Sequence, residues 1–89
     1  MITYRALVFG VVQGVGFRYF TAKKATALGV CGRATNLADG SVEVIMQGEE
    51  SAVLALLAWL HQGPQTASVE RVISEEYNPE RLFNGFAAY

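Results

Sequence analysis

An Asp-Gly pair near the middle of the chain, Asp39-Gly40, is the feature that most constrains the fold. It stands between two segments of extended character, "VCGRATN" and "SVEVIMQG". Asp-Gly between such segments is a strong short-range signal for a β-hairpin. The second segment alternates apolar and polar residues except at Ile45, so we expect its second face to be partly covered as well. The hairpin divides the chain into two halves of similar length.

Each half contains one helix and at least one further strand. Residues 2–9, "ITYRALVF", predict a strand whose apolar end is typical of a central strand. The segment "FRYFTAKKATALG" predicts a helix that ends at Gly29, and "EESAVLALLAWLHQGP" predicts a second helix that ends before Gly63. After it, "TASVERVISEEY" predicts a strand, "NPERL" (78–82) a turn, and "FNGFAAY" a weak final strand.

This order, β-α-β-β-α-β with a short extra strand, is that of an α+β, ferredoxin-like sandwich. We expect two helices on one face of a mainly antiparallel sheet. The right-handed crossover rule places the first and third strands side by side in its centre. Residues 1–89 are predicted to form one domain. Many unrelated functions share this fold, so it does not determine the activity.

Composition argues against several classes of function. A net charge of −1 does not indicate a general electrostatic grip on nucleic acid or on an anionic membrane. The single cysteine, Cys31, allows no disulfide within the chain, which suits a reducing cytoplasm. The N-terminus lacks the pattern of a signal peptide, and the apolar stretch 52–60 is too short to cross a bilayer. We expect a soluble, cytoplasmic protein.

The segment "GVVQGVGFR", residues 10–18, follows the first strand and opens the first helix. Amide groups at a helix start have no partner within the helix, and the helix dipole makes this end positive. Glycines allow several such amides to converge on an anion, and the planar guanidinium of Arg18 suits a phosphate. The segment therefore predicts a cradle for phosphate or carboxylate. From the spacing alone, a tight turn with a surface arginine is an equal alternative.

Two better-known phosphate motifs are excluded. A P-loop ends in Gly-Lys-Ser/Thr, whereas this loop ends in "GFR". A dinucleotide fingerprint needs a third glycine where Tyr19 stands. A second segment of interest, "GRATNLADGSVEV", places Asn36 just before the hairpin turn, where asparagine ordinarily serves local turn chemistry.

"GVVQGVGFR" followed by "GRATNLADGSVEV", in a chain of this length, resembles the acylphosphatase family over essentially the whole sequence. The resemblance implies a hydrolase that cleaves the carboxyl-phosphate bond of acyl phosphates to a carboxylate and inorganic phosphate. It implies that Arg18 binds the phosphoryl group and that Asn36 orients the attacking water. It also implies no metal, no cofactor and no covalent enzyme intermediate, and we expect a monomer. The loop expected to supply main-chain donors comprises Val12, Gln13, Gly14, Val15, Gly16, Phe17 and Arg18.

Two rival functions differ in class. Ferredoxin-like domains bind RNA through aromatic residues on the open sheet face, but the near-neutral charge argues against this. A phosphate cradle within a carbamoyl-transfer protein is the other rival, and the length of the chain argues against it. His61 is expected to be a helix-end residue and Cys31 a small packed side chain, rather than catalytic groups. Tyr19 and Phe20 are expected to shape the entrance of the site or to pack on the loop.

Overall fold

The computed structural model describes residues 1–78 and 82–89. The turn predicted over 78–82 falls mainly on 79–81, outside the described residues. The order of elements confirms the predicted β-α-β-β-α-β arrangement with a short final strand. The elements are β1 (Ile2–Val11), α1 (Phe17–Leu28), β2 (Cys31–Asn36), β3 (Val42–Gly48), α2 (Glu50–Gln62), β4 (Ser68–Glu76) and β5 (Phe86–Ala88).

The strands form one sheet in the order β4-β1-β3-β2-β5. The central pair β1 and β3 is antiparallel, as are β1 with β4 and β2 with β3, which confirms the predicted centre and hairpin. The edge strand β5 instead pairs with β2 in parallel, so the sheet is mixed. Because β4 finishes beside Tyr4, at the end where β1 and β2 begin, a strand that enters from there runs in the same direction as β2.

The two helices cover one face of the sheet, where the main core lies. Side chains of both helices and of the three inner strands are buried there together. On the opposite face Ile45 is also fully buried, at 0% exposure, which confirms that this face is partly covered. It lies in register between Arg5 and Arg33, whose side chains both contact Glu43. The core members are Ala6, Val8, Val12, Phe17, Ala25, Val30, Ala34, Val42, Val44, Met46, Val53, Leu56 and Leu60.

Strand β1 continues two residues beyond the predicted end and includes Gly10. The prediction that Gly10 belongs to the loop is therefore wrong. The pairing of β1 with β4 shifts register between Phe9 and Gly10, and a Cβ on Gly10 would lie 2.1 Å from the carbonyl oxygen of Ser68. Glycine is required here because the two backbones approach closely.

Within residues 1–78 and 82–89, neither helix has the length and apolar character needed to span a membrane.

Candidate active site

The loop between β1 and α1 is anchored at both ends in the core. Val12 and Phe17 are each 1% exposed, so their side chains hold the loop against the sheet and the helices. Between them, Gly14 and Gly16 have positive φ angles of 74° and 80°. Glycine adopts this left-handed conformation at little cost, whereas other residues are strained there. The loop therefore turns sharply twice within three residues.

The first turn of α1 leaves its amides available to a ligand. Gly16 is the N-cap and makes no side-chain capping bond, and the first turn contains no acidic residue. The first bond within the helix runs from the amide of Phe20 to the carbonyl of Gly16, at 3.0 Å. The preceding amides at the helix start have no partner inside the helix and lie at the positive end of its dipole. Such a terminus binds anions readily.

A pocket of about 200 Å³ opens at this loop. Its volume is below the roughly 300–1,000 Å³ typical of sites for drug-sized ligands. It suits a compact group such as a phosphoryl. The lining residues are Val12, Gly14, Gly16, Phe17, Arg18, Tyr19 and Ala88.

Arg18 is half-buried in the wall of this pocket and makes no ion pair with any residue of the described ranges. The other arginines in those ranges have contacts. Arg5 and Arg33 lie against Glu43, and Arg71 stacks on Phe9 with its guanidinium carbon 4.5 Å from the ring centroid. Arg18 therefore has its donors available for an anion in the pocket.

Asn36 is the last residue of β2 and lies outside the residues that line this pocket. It follows Ala34 by two positions, so both belong to the helix-covered face of the strand. Ala34 pairs with Ala88, which does line the pocket, and Asn36 lies two residues further along β2. Its Oδ1 atom is buried, and no donor in the described part of the chain reaches it.

Two side-chain hydrogen bonds tie the loop to distant parts of the chain. The Nε2 group of Gln13 donates to the carbonyl oxygens of Leu37 and Ser41, at 2.8 and 2.9 Å. The hydroxyl of Thr66 donates to the carbonyl of Val15 at 2.6 Å. Sequence reasoning assigned Gln13 to the loop for its main chain and did not identify its side chain, Thr66 or Ala88. These contacts join residues far apart in the sequence, and no local pattern signals them.

The two aromatic residues beside the loop, Tyr19 and Phe20, lie in different places. Tyr19 lines the pocket and is 63% exposed, in agreement with its expected place at the entrance. Phe20 packs edge-on against Tyr19 with ring centroids 5.2 Å apart, and its ring lies beneath Gly16, against the loop.

Neither His61 nor Cys31 belongs to the pocket wall. His61 is exposed in the last turn of α2, as predicted, and Cys31 is half-buried at the start of β2. Across the ranges 1–78 and 82–89, no three His, Cys, Asp or Glu side chains cluster closely enough to hold a metal ion.

The mixed sheet, the helices on one face and the pocket at the glycine loop define a ferredoxin-like α+β protein. Comparison with known proteins makes the assignment specific. The family model for acylphosphatase matches residues 4–88. The acylphosphatase of Pasteurella multocida is 51% identical over 87 residues, which cover 98% of this chain and 97% of the relative. The chain belongs to the acylphosphatase family, whose members are enzymes that hydrolyse acyl phosphates.

Solved structures agree with this assignment. The acylphosphatase from Bacillus subtilis superposes with a TM-score of 0.93 and 31% identity, over 100% of this chain and 99% of that one. The acylphosphatase from Coxiella burnetii gives a TM-score of 0.92 and 36% identity, over 99% and 92% of the two chains. The expected fold and family are therefore confirmed, and the substrate is a small molecule.

Proposed function

We propose that the loop pocket is the site where this chain hydrolyses acyl phosphates, with Arg18 binding the phosphoryl group and Asn36 orienting the attacking water. The loop from Val12 to Arg18 donates its main-chain amides to the phosphoryl oxygens. The observation that carries the proposal is that Arg18 lies in the wall of a pocket at the start of α1 and pairs with no charged side chain of the described residues. Family membership supplies the reaction, and this geometry suggests the residues that perform it.

Hydrolysis of an acyl phosphate requires stabilisation of negative charge in the transition state rather than a strong general acid. The water oxygen forms a bond to phosphorus as the bond from phosphorus to the acyl oxygen breaks, and the carboxylate departs with the electron pair. The transition state is loose and in line, with negative charge on the equatorial phosphoryl oxygens. Preorganised amides and one guanidinium stabilise that charge. The carboxylate is already a good leaving group and needs no proton.

Asn36 has the chemistry to hold the nucleophile. A buried acceptor that lacks a hydrogen bond costs about 1–3 kcal/mol of stability. The Oδ1 of Asn36 therefore favours a water molecule that donates a hydrogen bond to it. A water held through one O–H group directs its oxygen lone pair elsewhere, which here means toward phosphorus.

The attacking water loses its proton late, to an oxygen of the substrate's own phosphate. A pH–rate profile with a steep dependence on one enzyme group near neutral pH would contradict this route.

The proposal also covers the oligomeric state, the location and the partners of the protein. One domain formed by residues 1–89 carries the activity, as a monomer in the cytoplasm, with inorganic phosphate as product and competitive inhibitor. It needs no cofactor or metal, so turnover without added metal persists in the presence of a chelator. Nucleic acid is not a partner, because the open sheet face carries Glu43 and Glu75 among its arginines and the net charge is −1.

Hydrolysis of benzoyl phosphate by Arg18→Lys and Asn36→Ala tests the proposal. We expect each variant to lose about 100- to 1,000-fold in kcat, the effect of removing one transition-state donor. Lysine keeps the charge of Arg18 but loses the planar, two-pronged donor set. Circular dichroism and urea unfolding are the measurements that check whether both variants are folded.

Arg71→Lys and Asn84→Ala are the matched controls, because they make the same chemical changes outside the pocket. Both are expected to keep activity within about twofold of the unsubstituted protein, since surface changes away from such features have small effects. Near-normal turnover in Arg18→Lys or in Asn36→Ala would exclude the proposed role of that residue.

A further inference from the structure

The side chain of Gln13 links the phosphate-binding loop to the hairpin that carries Asn36. Both of its amide hydrogens are used, one toward each end of the turn, on the carbonyls of Leu37 and Ser41. These partners are 24 and 28 residues away in the sequence. Two bonds from one planar group fix the orientation of the turn as well as its distance.

The turn is itself closed, so it moves as one unit. The amide of Leu37 donates to the carbonyl of Ser41 at 2.8 Å, and the amide of Gly40 donates to the carbonyl of Leu37 at 3.2 Å. The two carbonyls that accept from Gln13 are therefore the same two that close the turn. Asn36 precedes Leu37 directly and pairs with Val42 across the hairpin, so its carboxamide lies where the sheet meets this turn.

The phosphoryl group and the water in the proposed reaction are held by separate segments. The loop and Arg18 hold phosphorus, whereas Asn36, at the end of β2, holds the nucleophile. An error of about 1 Å in such an alignment can cost about 100-fold in rate. In the described part of the chain, the two hydrogen bonds of the Gln13 amide are the side-chain bonds that join these two segments.

We propose that Gln13 is a positioning residue, whose side-chain amide sets the alignment of Asn36 and its water against the phosphoryl group. The inference rests on the proposed role of Asn36. The inference predicts different effects on kcat and on phosphate binding. Loss of the two Gln13 side-chain hydrogen bonds lowers kcat, because the water is misaligned. It leaves phosphate binding nearly unchanged, because the loop amides and Arg18 remain. The Thr66 bond to Val15 still holds the other side of the loop.

The test is a double-substitution cycle with Gln13→Met and Asn36→Ala. Methionine has similar length and no donor. We expect Gln13→Met to lower kcat for benzoyl phosphate about 10- to 100-fold and to change the inhibition constant of inorganic phosphate by less than about threefold. In the Asn36→Ala background the same change should lower kcat less than about twofold, because residues that act as a unit are not additive. Gln62→Met, at an exposed glutamine of α2, is the matched control and should behave as the unsubstituted protein.

Gln13→Ala keeps the inference testable where the methionine variant does not fold, because it removes the same amide with a different change in packing. It is expected to lower kcat about as much as methionine and to change the phosphate inhibition constant by less than about threefold. Additive losses in the cycle, or a phosphate inhibition constant weakened in parallel with kcat, would overturn the positioning role. If Asn36→Ala itself turns over normally, the proposed role of Asn36 fails instead, so the two failures are distinguishable.

Discussion

The carboxylate of Asp39 organises the turn next to Asn36. Its Oδ1 accepts hydrogen bonds from the amide and the hydroxyl of Ser41, at 3.0 and 2.5 Å. The hydroxyl bond, and then the amide bond, lower the pKa of Asp39 below its ordinary value. Ser41 also supplies one of the carbonyls that accept from Gln13, so Asp39 supports the turn to which the loop is attached.

Asp39 gives the turn a defined dependence on pH. Because the pKa of Asp39 is lower in the folded than in the unfolded chain, its contribution to stability is present above the unfolded pKa and is lost as the pH falls through the folded pKa. We expect the urea midpoint to fall more between pH 6 and pH 2 in the unsubstituted protein than in Asp39→Asn. An equal fall in both proteins would contradict the stabilising role of the ionised carboxylate.

At the scale of single residues, the sequence predicted those site residues that lie close together along the chain. Gly14, Gly16 and Arg18 share one short motif, and the structure brings them to one pocket. The side-chain contacts of Gln13 and Thr66 could not be predicted, because their partners lie 24 to 51 residues away. Such contacts depend on the assembled sheet rather than on the neighbouring sequence.

At the scale of elements, two glycines of the opening motif serve different purposes. Gly10 lies in β1, where a Cβ would meet the Ser68 carbonyl at 2.1 Å, whereas Gly14 has open space around its missing Cβ. The first position is restricted by the neighbouring strand and the second by its backbone angle alone.

Alanine at each of these positions should separate the two purposes. We expect Gly10→Ala to lower the free energy of unfolding by about 3 kcal/mol or more, because backbone must move. Gly14→Ala should lower it by only about 1–2 kcal/mol, the cost of a left-handed alanine. Urea unfolding of both variants measures the difference. A loss at Gly14 as large as that at Gly10 would show that the loop is packed more tightly than the structure indicates.

The elements themselves were largely predictable. Helical periodicity, the terminal glycines and the Asp39-Gly40 turn identify both helices and the central hairpin, and the crossover rule places β1 beside β3. The parallel pairing of β5 with β2 was not predictable, because three residues, "FAA", carry no signal for a partner. The shift at Gly10 also depends on β4, which lies far along the chain.

At the scale of the whole molecule, the candidate site is assembled at one end of the sheet from segments spread along the chain. The loop after β1 and the first turn of α1 form its floor, Ala88 in β5 contributes to the wall, and Thr66 secures the loop. The helix-covered core holds Val12 and Phe17 at the two ends of the loop. The fold thus anchors the loop through buried side chains at both ends and the Thr66 hydrogen bond, and preorganised charge stabilisation depends on such support.

A crystal structure of the protein grown with inorganic phosphate tests the central claim most directly. We expect the anion at the Gly14–Gly16 loop, with loop amides and the Arg18 guanidinium within about 3.2 Å of its oxygens. The Asn36 carboxamide should face the phosphorus through one water. Phosphate bound elsewhere, or bound here without Arg18 and with Asn36 directed away, would contradict the account.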